Sequence, residues 1–224
     1  MVSTETVVTR FAPAGARFAK PLEDACIEFG IGSTRQKAHL IGQCAHESAD
    51  FTVLTESMNY AADRLVAVFG AHRITSAQAM AMGRLDGRPA NQRAIANTVY
   101  GGKWGLENLG NTQPNDGWDF RGQGLIQLTG RSNVLRCSLA LFGDDRMVRN
   151  PGMLTDPVVA ARAAAWFWVD KKLGPWADLD DVLAVSRGVN LGNPRHKGAP
   201  KGLEDRAAKT RRAMQLFNDL RGRA

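Results

Sequence analysis

Two glutamates near the start of the chain have the residue type and spacing that acid–base chemistry uses. Glu47 ends an apolar helical run, where an acid is partly shielded from water and can donate a proton, and Glu56 follows nine residues later. Glycoside hydrolysis with inversion needs two carboxyl groups roughly 6.5 to 9.5 Å apart. Nine residues of continuous helix turn through about 900° and rise about 13.5 Å, so the two side chains would point in opposite directions. The pair therefore requires the helix to end near Ser48 and the chain to bend back through residues 49–52.

Spacing alone also fits two solvated charges, one on a helix and one in a surface loop. His46-Glu47 does not complete the zinc-protease pattern H-E-x-x-H, because position 50 is aspartate. Cys26, Cys44 and Cys137 form no C-x-x-C pair and predict buried, reduced thiols. The sequence therefore predicts neither a metal site nor an organic cofactor.

A glycine-rich segment, residues 116–130, carries a second group of polar side chains. Gly122-x-Gly124 is a poor nucleotide fingerprint, because the third glycine and the following helix are missing. Gln127 and Thr129 lie two residues apart on a predicted strand, so both would face one side while their apolar neighbours face the core. An ordinary amphipathic strand with solvated polar residues fits the same pattern.

A mainly helical framework is predicted to position these residues. Periodicity and capping residues predict seven helices, within residues 21–29, 33–47, 76–82, 91–100, 156–173, 178–187 and 202–220. One small β element, a hairpin or extended strand over residues 120–129, completes a mainly α (α+β) fold. The length predicts a single domain, residues 1–224, in which residues 1–20 could form a flexible N-terminal extension.

Composition indicates a globular chain with a polyanionic partner. Of the 224 residues, 44% are hydrophobic and 23% are charged, and the net charge is +7. Residues 195–224 hold nine Lys and Arg residues against three acids. No apolar run approaches the ~20 residues of a membrane span, and the N-terminus lacks a secretory signal. We therefore expect synthesis in the cytoplasm without a signal peptide.

Four motifs follow one another along the chain. They are Ala45-His46-Glu47-Ser48, Glu56-Ser57-Met58-Asn59-Tyr60, Gly122-Gln123-Gly124-Leu125-Ile126-Gln127-Leu128-Thr129-Gly130 and Val189-Asn190-Leu191-Gly192. In this order they resemble glycoside hydrolase family 19, over roughly residues 38–216, and in particular its single-domain phage endolysins, which cleave bacterial peptidoglycan. The resemblance implies a lysozyme-like, mostly helical fold with a cleft between two lobes.

The resemblance also implies a role for each matched residue. Glu47 matches the general acid of the family, and Glu56 matches the second glutamate of the endolysin branch, the general base. Thr129 matches the Ser or Thr that helps to position the attacking water. The remaining matches are three sugar-binding positions and one arginine that supports the catalytic acid: Gln127, Asn133, Asn190 and Arg206.

Two positions depart from the plant members of the family, because Leu191 and Pro194 stand where those have a glycine and an acid. A preference for chitin is therefore not carried over from them. Tyr60 and Trp118 are candidates for stacking on sugar rings, although single aromatic residues belong more often to the core.

The expected function is that of an endolysin. Glu47 would protonate the leaving oxygen of a β-1,4 glycosidic bond in peptidoglycan, while Glu56, expected to stay ionised among polar neighbours, activates water with inversion. The alternatives are a lytic transglycosylase, a chitinase and a non-catalytic wall-binding module. The expected partners are peptidoglycan and an anionic wall or membrane surface, reached through the basic last helix, with no nucleic acid and a monomeric chain. The protein would act on the wall after another protein permeabilises the membrane.

Overall fold

The computed structural model describes residues 2–222 and is mostly helical, with 64% of residues in helices and 3% in strand conformation. The prediction of a mainly α fold is confirmed. The predicted number of seven helices is wrong, because the described residues form fourteen α-helices, several of them only one or two turns long.

The helices follow one another in three groups along the chain. The first are α1 (Thr4–Phe11), α2 (Ala19–Glu28) and α3 (Thr34–Glu47). The middle group is α4 (Ala62–Phe69), α5 (Ser76–Met82), α6 (Gln92–Val99), α7 (Gly102–Leu109), α8 (Asp116–Asp119), α9 (Arg131–Phe142) and α10 (Arg146–Arg149). The last are α11 (Pro157–Asp170), α12 (Gly174–Asp178), α13 (Val182–Leu191) and α14 (Leu203–Arg221), and two short 3₁₀ helices span Pro13–Phe18 and Pro151–Thr155.

Local capping signals set most of the predicted helix boundaries correctly. The Ser33 hydroxyl accepts from the Gln36 amide at the start of α3, and Asp156 accepts from two backbone amides at the start of α11. Asp178, however, does not begin the following helix. Its carboxylate accepts from the side chains of Ser33 (2.5 Å) and Gln36 (2.6 Å), whereas Asp181 caps α13.

The predicted strand over residues 120–129 is replaced by a tight turn. Gln123 and Leu128 exchange both backbone hydrogen bonds, 3.2 and 2.8 Å long, and Gln127 has a φ of 50°. A left-handed residue at this point breaks the two-residue alternation, so Gln127 and Thr129 do not share the face of a strand. The β structure here consists of isolated bridges.

The chain forms two compact units. The first unit contains the residues up to Leu54, Gly124–Ile126 and the segment from Met153 onward, and the second contains Thr55–Gln123 and Gln127–Gly152. In the first unit α3 is the central helix, since its residues 37–45 are all buried, and it packs along α14. In the second unit α4, α5 and α6 contribute to an apolar core of eight buried residues.

Residues 2–20 are folded into the first unit. α1 and the 3₁₀ helix that follows it bury Val7, Phe11 and Phe18, and α1 packs against α2. Among residues 2–222, no helix combines the length and the apolar character needed to cross a lipid bilayer.

Candidate active site

Glu47 is the last residue of α3, and the chain turns sharply directly after it. Residues 49–51 all have positive φ, and the amide of Asp50 donates to the Ala45 carbonyl (2.7 Å). Phe51 is fully buried and fills the space against Gly15, where no side chain stands in its way. The bend that the two-glutamate hypothesis required is thus present, and the burial of Phe51 offsets the cost of the left-handed backbone.

A buried arginine holds the Glu47 carboxylate. Arg206 on α14 is 1% exposed and donates through Nη2 to Glu47 Oε1, and Nη1 donates to Gln43 Oε1 at 2.6 Å. The Gln43 amide nitrogen in turn donates to Ser186 Oγ at 3.2 Å. The guanidinium is therefore fixed from both sides, and the predicted role of Arg206 as the support of Glu47 agrees with these contacts.

The same arginine ties Glu47 to the loop between α13 and α14. Arg206 Nε donates to the Lys201 carbonyl at 2.9 Å, and the Lys201 amide donates to Asn190 Oδ1, also at 2.9 Å. Beside it, His46 Nδ1 lies 2.6 Å from Asp205 Oδ2. The side chain of Asn190, predicted to bind sugar, thus orders the loop backbone next to Arg206.

Glu56 lies in the second unit, where both of its carboxylate oxygens accept hydrogen bonds. The Tyr100 hydroxyl donates to Oε1 at 2.7 Å, and the Gly122 amide donates to Oε2 at 3.1 Å. The backbone amide of Glu56 donates to the Gly122 carbonyl at 2.8 Å, and Arg121 donates to the Glu56 carbonyl. The side chain is therefore fixed both by Tyr100, which directly follows α6, and by the glycine-rich segment.

Burial raises the pKa of Glu56 above the usual glutamate value, although Tyr100, Gly122 and the positive charges of Arg121 and Arg73 lower it. Burial of Glu56 was not expected from its polar sequence neighbours, and that Glu56 stays ionised remains a prediction. Burial and the nearby Glu56 charge also raise the pKa of Tyr100, so its hydroxyl keeps its proton and remains a donor.

Gln127, Thr129 and Asn133 form a short chain of contacts in the second unit. The Thr129 hydroxyl donates to the Gln127 carbonyl at 2.9 Å, and Asn133 on α9 donates to the Thr129 carbonyl at 2.9 Å. A Cβ on Gly122 would lie 2.8 Å from Gln127 Oε1 and 3.4 Å from the Cβ of Glu56. The absence of a side chain at Gly122 therefore allows Gln127 and Glu56 to approach one another.

The two aromatic candidates are half-buried and pack against the core of the second unit. Tyr60 contacts Phe69 edge to face, with ring centroids 5.2 Å apart. Trp118 has the Arg121 guanidinium 3.7 Å from its ring centroid, so one ring face is already covered. Each ring could offer a substrate only the part that remains exposed.

Three residues of the hydrogen-bond networks that hold the glutamates were missed in the sequence: Gln43, Ser186 and Tyr100. Gln43 and Ser186 are fully buried polar residues within apolar helical segments. An uncharged polar residue at a core position, one turn before Glu47, is the signal that could have indicated Gln43. The three cysteines are free and buried, as predicted.

Comparisons with known proteins bear on the whole chain. No protein-family model matches it. A protein of Haemophilus influenzae named "Glycosyl hydrolase family 19 domain-containing protein" is 28% identical over 220 residues, which cover 98% of this chain and 99% of that protein. The acidic endochitinase pcht28 of Solanum chilense is 39% identical over 119 residues, 44% of this chain and 47% of the relative.

The fold is similar to that of a known enzyme. The crystal structure of chitinase C from Streptomyces griseus HUT6037 matches with a TM-score of 0.61 at 18% identity, covering 96% of this chain and 92% of that one. The likeness to glycoside hydrolase family 19 is confirmed. With the full-length relative it also confirms the expectation of a glycoside hydrolase, that is, of an enzyme that hydrolyses glycans.

Proposed function

We propose that this family 19-like chain hydrolyses the β-1,4 glycosidic bond of bacterial peptidoglycan with inversion, Glu47 acting as the general acid and Glu56 as the general base. The observation that carries the proposal is the ion pair of Glu47 with the buried Arg206, which is itself held by Gln43. Burial of the Arg206 guanidinium costs hydration free energy, which its hydrogen bonds to Glu47 and Gln43 offset, and the result is a carboxyl group held in one orientation, as a catalytic acid requires.

The contacts of Glu47 decide which of its oxygens can carry the proton. Arg206 can only donate, so Oε1 must accept, and the proton to be transferred belongs on Oε2. Because the guanidinium stays charged throughout, the carboxylate that is left after proton transfer is stabilised without any rearrangement.

The contacts of Glu56 suit the general base. Tyr100 and Gly122 each occupy one lone pair of a different oxygen, so each oxygen keeps another for the proton of a water molecule. A base whose pKa is raised toward the working pH removes a proton more effectively. The Thr129 hydroxyl donates its hydrogen bond to the Gln127 carbonyl, so the Thr129 oxygen can accept a hydrogen bond from the same water molecule.

The peptidoglycan substrate and the endolysin role are supported by the resemblance to phage endolysins and by the net charge of +7. An anionic wall or membrane surface would also meet α14, where Arg211, Arg212 and Arg221 are exposed, while Arg223 lies outside the residues that the structure describes. In this proposal the chain accumulates in the cytoplasm, acts as a monomer and reaches the wall once the membrane is permeabilised.

Chitin hydrolysis is the second candidate, because the relatives and the structural neighbours include chitinases. Mass spectrometry of fragments released from purified peptidoglycan and from chitin oligomers separates the possibilities. We expect reducing ends from peptidoglycan with the native chain and none with Glu47→Gln. Ends of the 1,6-anhydro type would identify a lytic transglycosylase, cleavage of chitin alone a chitinase, and no cleavage of either a wall-binding module.

A second experiment assigns the two glutamates. With an aryl glycoside whose leaving group needs no protonation, Glu47→Gln should keep much of its activity, whereas Glu56→Gln should lose it. Added azide, a small anionic nucleophile, should rescue only Glu56→Gln and yield a glycosyl azide of inverted configuration. The reverse pattern would exchange the two roles.

A further inference from the structure

The loop between α13 and α14 contains basic residues and no acidic ones. From residue 182 to residue 203 the chain contains four Lys and Arg residues and no acid. Three of these cations are exposed and lie in the loop itself: Arg195, Lys197 and Lys201. We call residues 193–201 the basic loop.

The backbone of the basic loop is bonded directly to the residues around the predicted acid. One guanidinium, that of Arg206, donates both to the Lys201 carbonyl and to the Glu47 carboxylate. Three residues before Lys201, Arg187 Nε on α13 donates to the Gly198 carbonyl at 3.0 Å. The loop is thus anchored at two points, one of them only a single side chain away from Glu47.

These anchors use the backbone of the loop and leave its charged side chains exposed. The nearest acids along the chain, Glu204 and Asp205, open α14, and Asp205 already pairs with His46 and lies 3.9 Å from Lys209. Asp205 is therefore engaged elsewhere, and Glu204 alone leaves an excess of positive charge on the three exposed cations of the loop. An excess of positive charge is therefore carried by a loop whose backbone is bonded to Arg206, the partner of Glu47, and within this loop the Arg195 guanidinium lies 6.0 Å from the Trp176 ring centroid.

We infer that the basic loop is a specificity element that attracts the carboxylates of an anionic, peptide-substituted glycan to the Glu47 side of the site. The inference rests on the proposed function, because the sugar backbone of peptidoglycan carries acidic peptides, whereas chitin is uncharged. Exposed ammonium and guanidinium groups raise the local concentration of a polyanion and its rate of association, and added salt screens this effect.

The test removes the charge from the loop and from the substrate in turn. The variant Arg195→Gln/Lys197→Gln/Lys201→Gln is compared with the native chain on purified peptidoglycan and on the same material after its carboxylates have been converted to neutral amides. At low ionic strength we expect kcat/KM of the variant to fall about tenfold on native peptidoglycan, mainly through KM, and to stay within about twofold on the amidated form. The difference should shrink as salt is added.

A matched control has the same net charge as the loop variant. Arg10, Lys103 and Lys172 are exposed cations outside the loop, and their joint replacement by Gln should leave kcat/KM within about twofold. An equal loss in this control, or an equal loss of the loop variant on both substrates, would overturn the inference alone. If the native chain cleaves neither form of peptidoglycan but cleaves chitin oligomers, the proposed function fails and the inference fails with it.

Discussion

The replacement of Arg206 by methionine tests the support of Glu47 most directly. Methionine fills much of the same volume but donates no hydrogen bond, so Gln43, Glu47 and Lys201 each lose a donor. The Gln43 oxygen is fully buried, and leaving it unsatisfied costs about 1–3 kcal/mol. The Glu47 side chain, 17% exposed, recovers only part of its solvation from water and adds about 1 kcal/mol, while the Lys201 carbonyl adds little.

The expected loss is therefore about 3 kcal/mol of the free energy of unfolding. With a denaturant dependence of about 2 kcal/mol per molar urea, the unfolding midpoint should fall by about 1.5 M. Arg211→Met, an exposed change on the same helix, is the control and should cost less than about 0.5 kcal/mol. In glycan hydrolysis, Arg206→Met should lower kcat more than it raises KM, because Glu47 loses its orientation.

A double-mutant cycle with Glu47→Gln isolates the ion pair. The glutamine change should cost less in the methionine background than in the native one, with a coupling energy of about 1–2 kcal/mol. A coupling energy near zero would show that Arg206 acts on the fold without acting on Glu47. A loss below about 0.5 kcal/mol for Arg206→Met alone would refute the argument for the whole network.

Two further predictions concern other contacts. Tyr100→Phe removes a donor that lowers the pKa of Glu56, so the acid limb of the pH profile of kcat/KM should move to higher pH. Activity near that limb should be about tenfold lower than in the native chain. An unmoved limb would contradict the assignment of Glu56 as the base. Gly42→Ala should destabilise the protein by about 2 kcal/mol in thermal unfolding, because its Cβ would lie 2.4 to 2.8 Å from Thr210. Gly32→Ala, which meets nothing within 4 Å, should be neutral, and equal effects of the two changes would refute the close packing of α3 on α14.

Local signals explain how much of the fold the sequence could predict. Ser33 and Asp156 cap helices with their own side chains, and Gly83 ends α5, so these boundaries depend on neighbouring residues alone. The turn around Gln127 could not be predicted in this way, because a glutamine with positive φ has no sequence signature and the alternation of its neighbours favours a strand. The helices α8 and α10 span only four residues each, too few to show a helical period.

Residues of the candidate site that belong to a sequence motif could be predicted, whereas contacts between residues distant in the sequence could not. Glu47 and Arg206 were each matched to a position of glycoside hydrolase family 19. The structure brings them together, although 159 positions separate them in the sequence. Ser186 reaches Gln43 across 143 positions, and Tyr100 reaches Glu56 across 44. Such pairs depend on tertiary packing, so neither periodicity nor spacing can indicate them.

The different donors of the two glutamates determine which group should control the pH dependence. Glu47 is held by a guanidinium, and Glu56 is held by a neutral hydroxyl and a backbone amide. The Tyr100 hydroxyl keeps its proton near neutrality, because burial raises its pKa. The base must be ionised to act, and burial raises the pKa of Glu56, so activity should be lost on acidification at a higher pH than for a solvated glutamate base. The acid limb of the pH profile is therefore assigned to Glu56, and it is the limb that the substitution Tyr100→Phe should move.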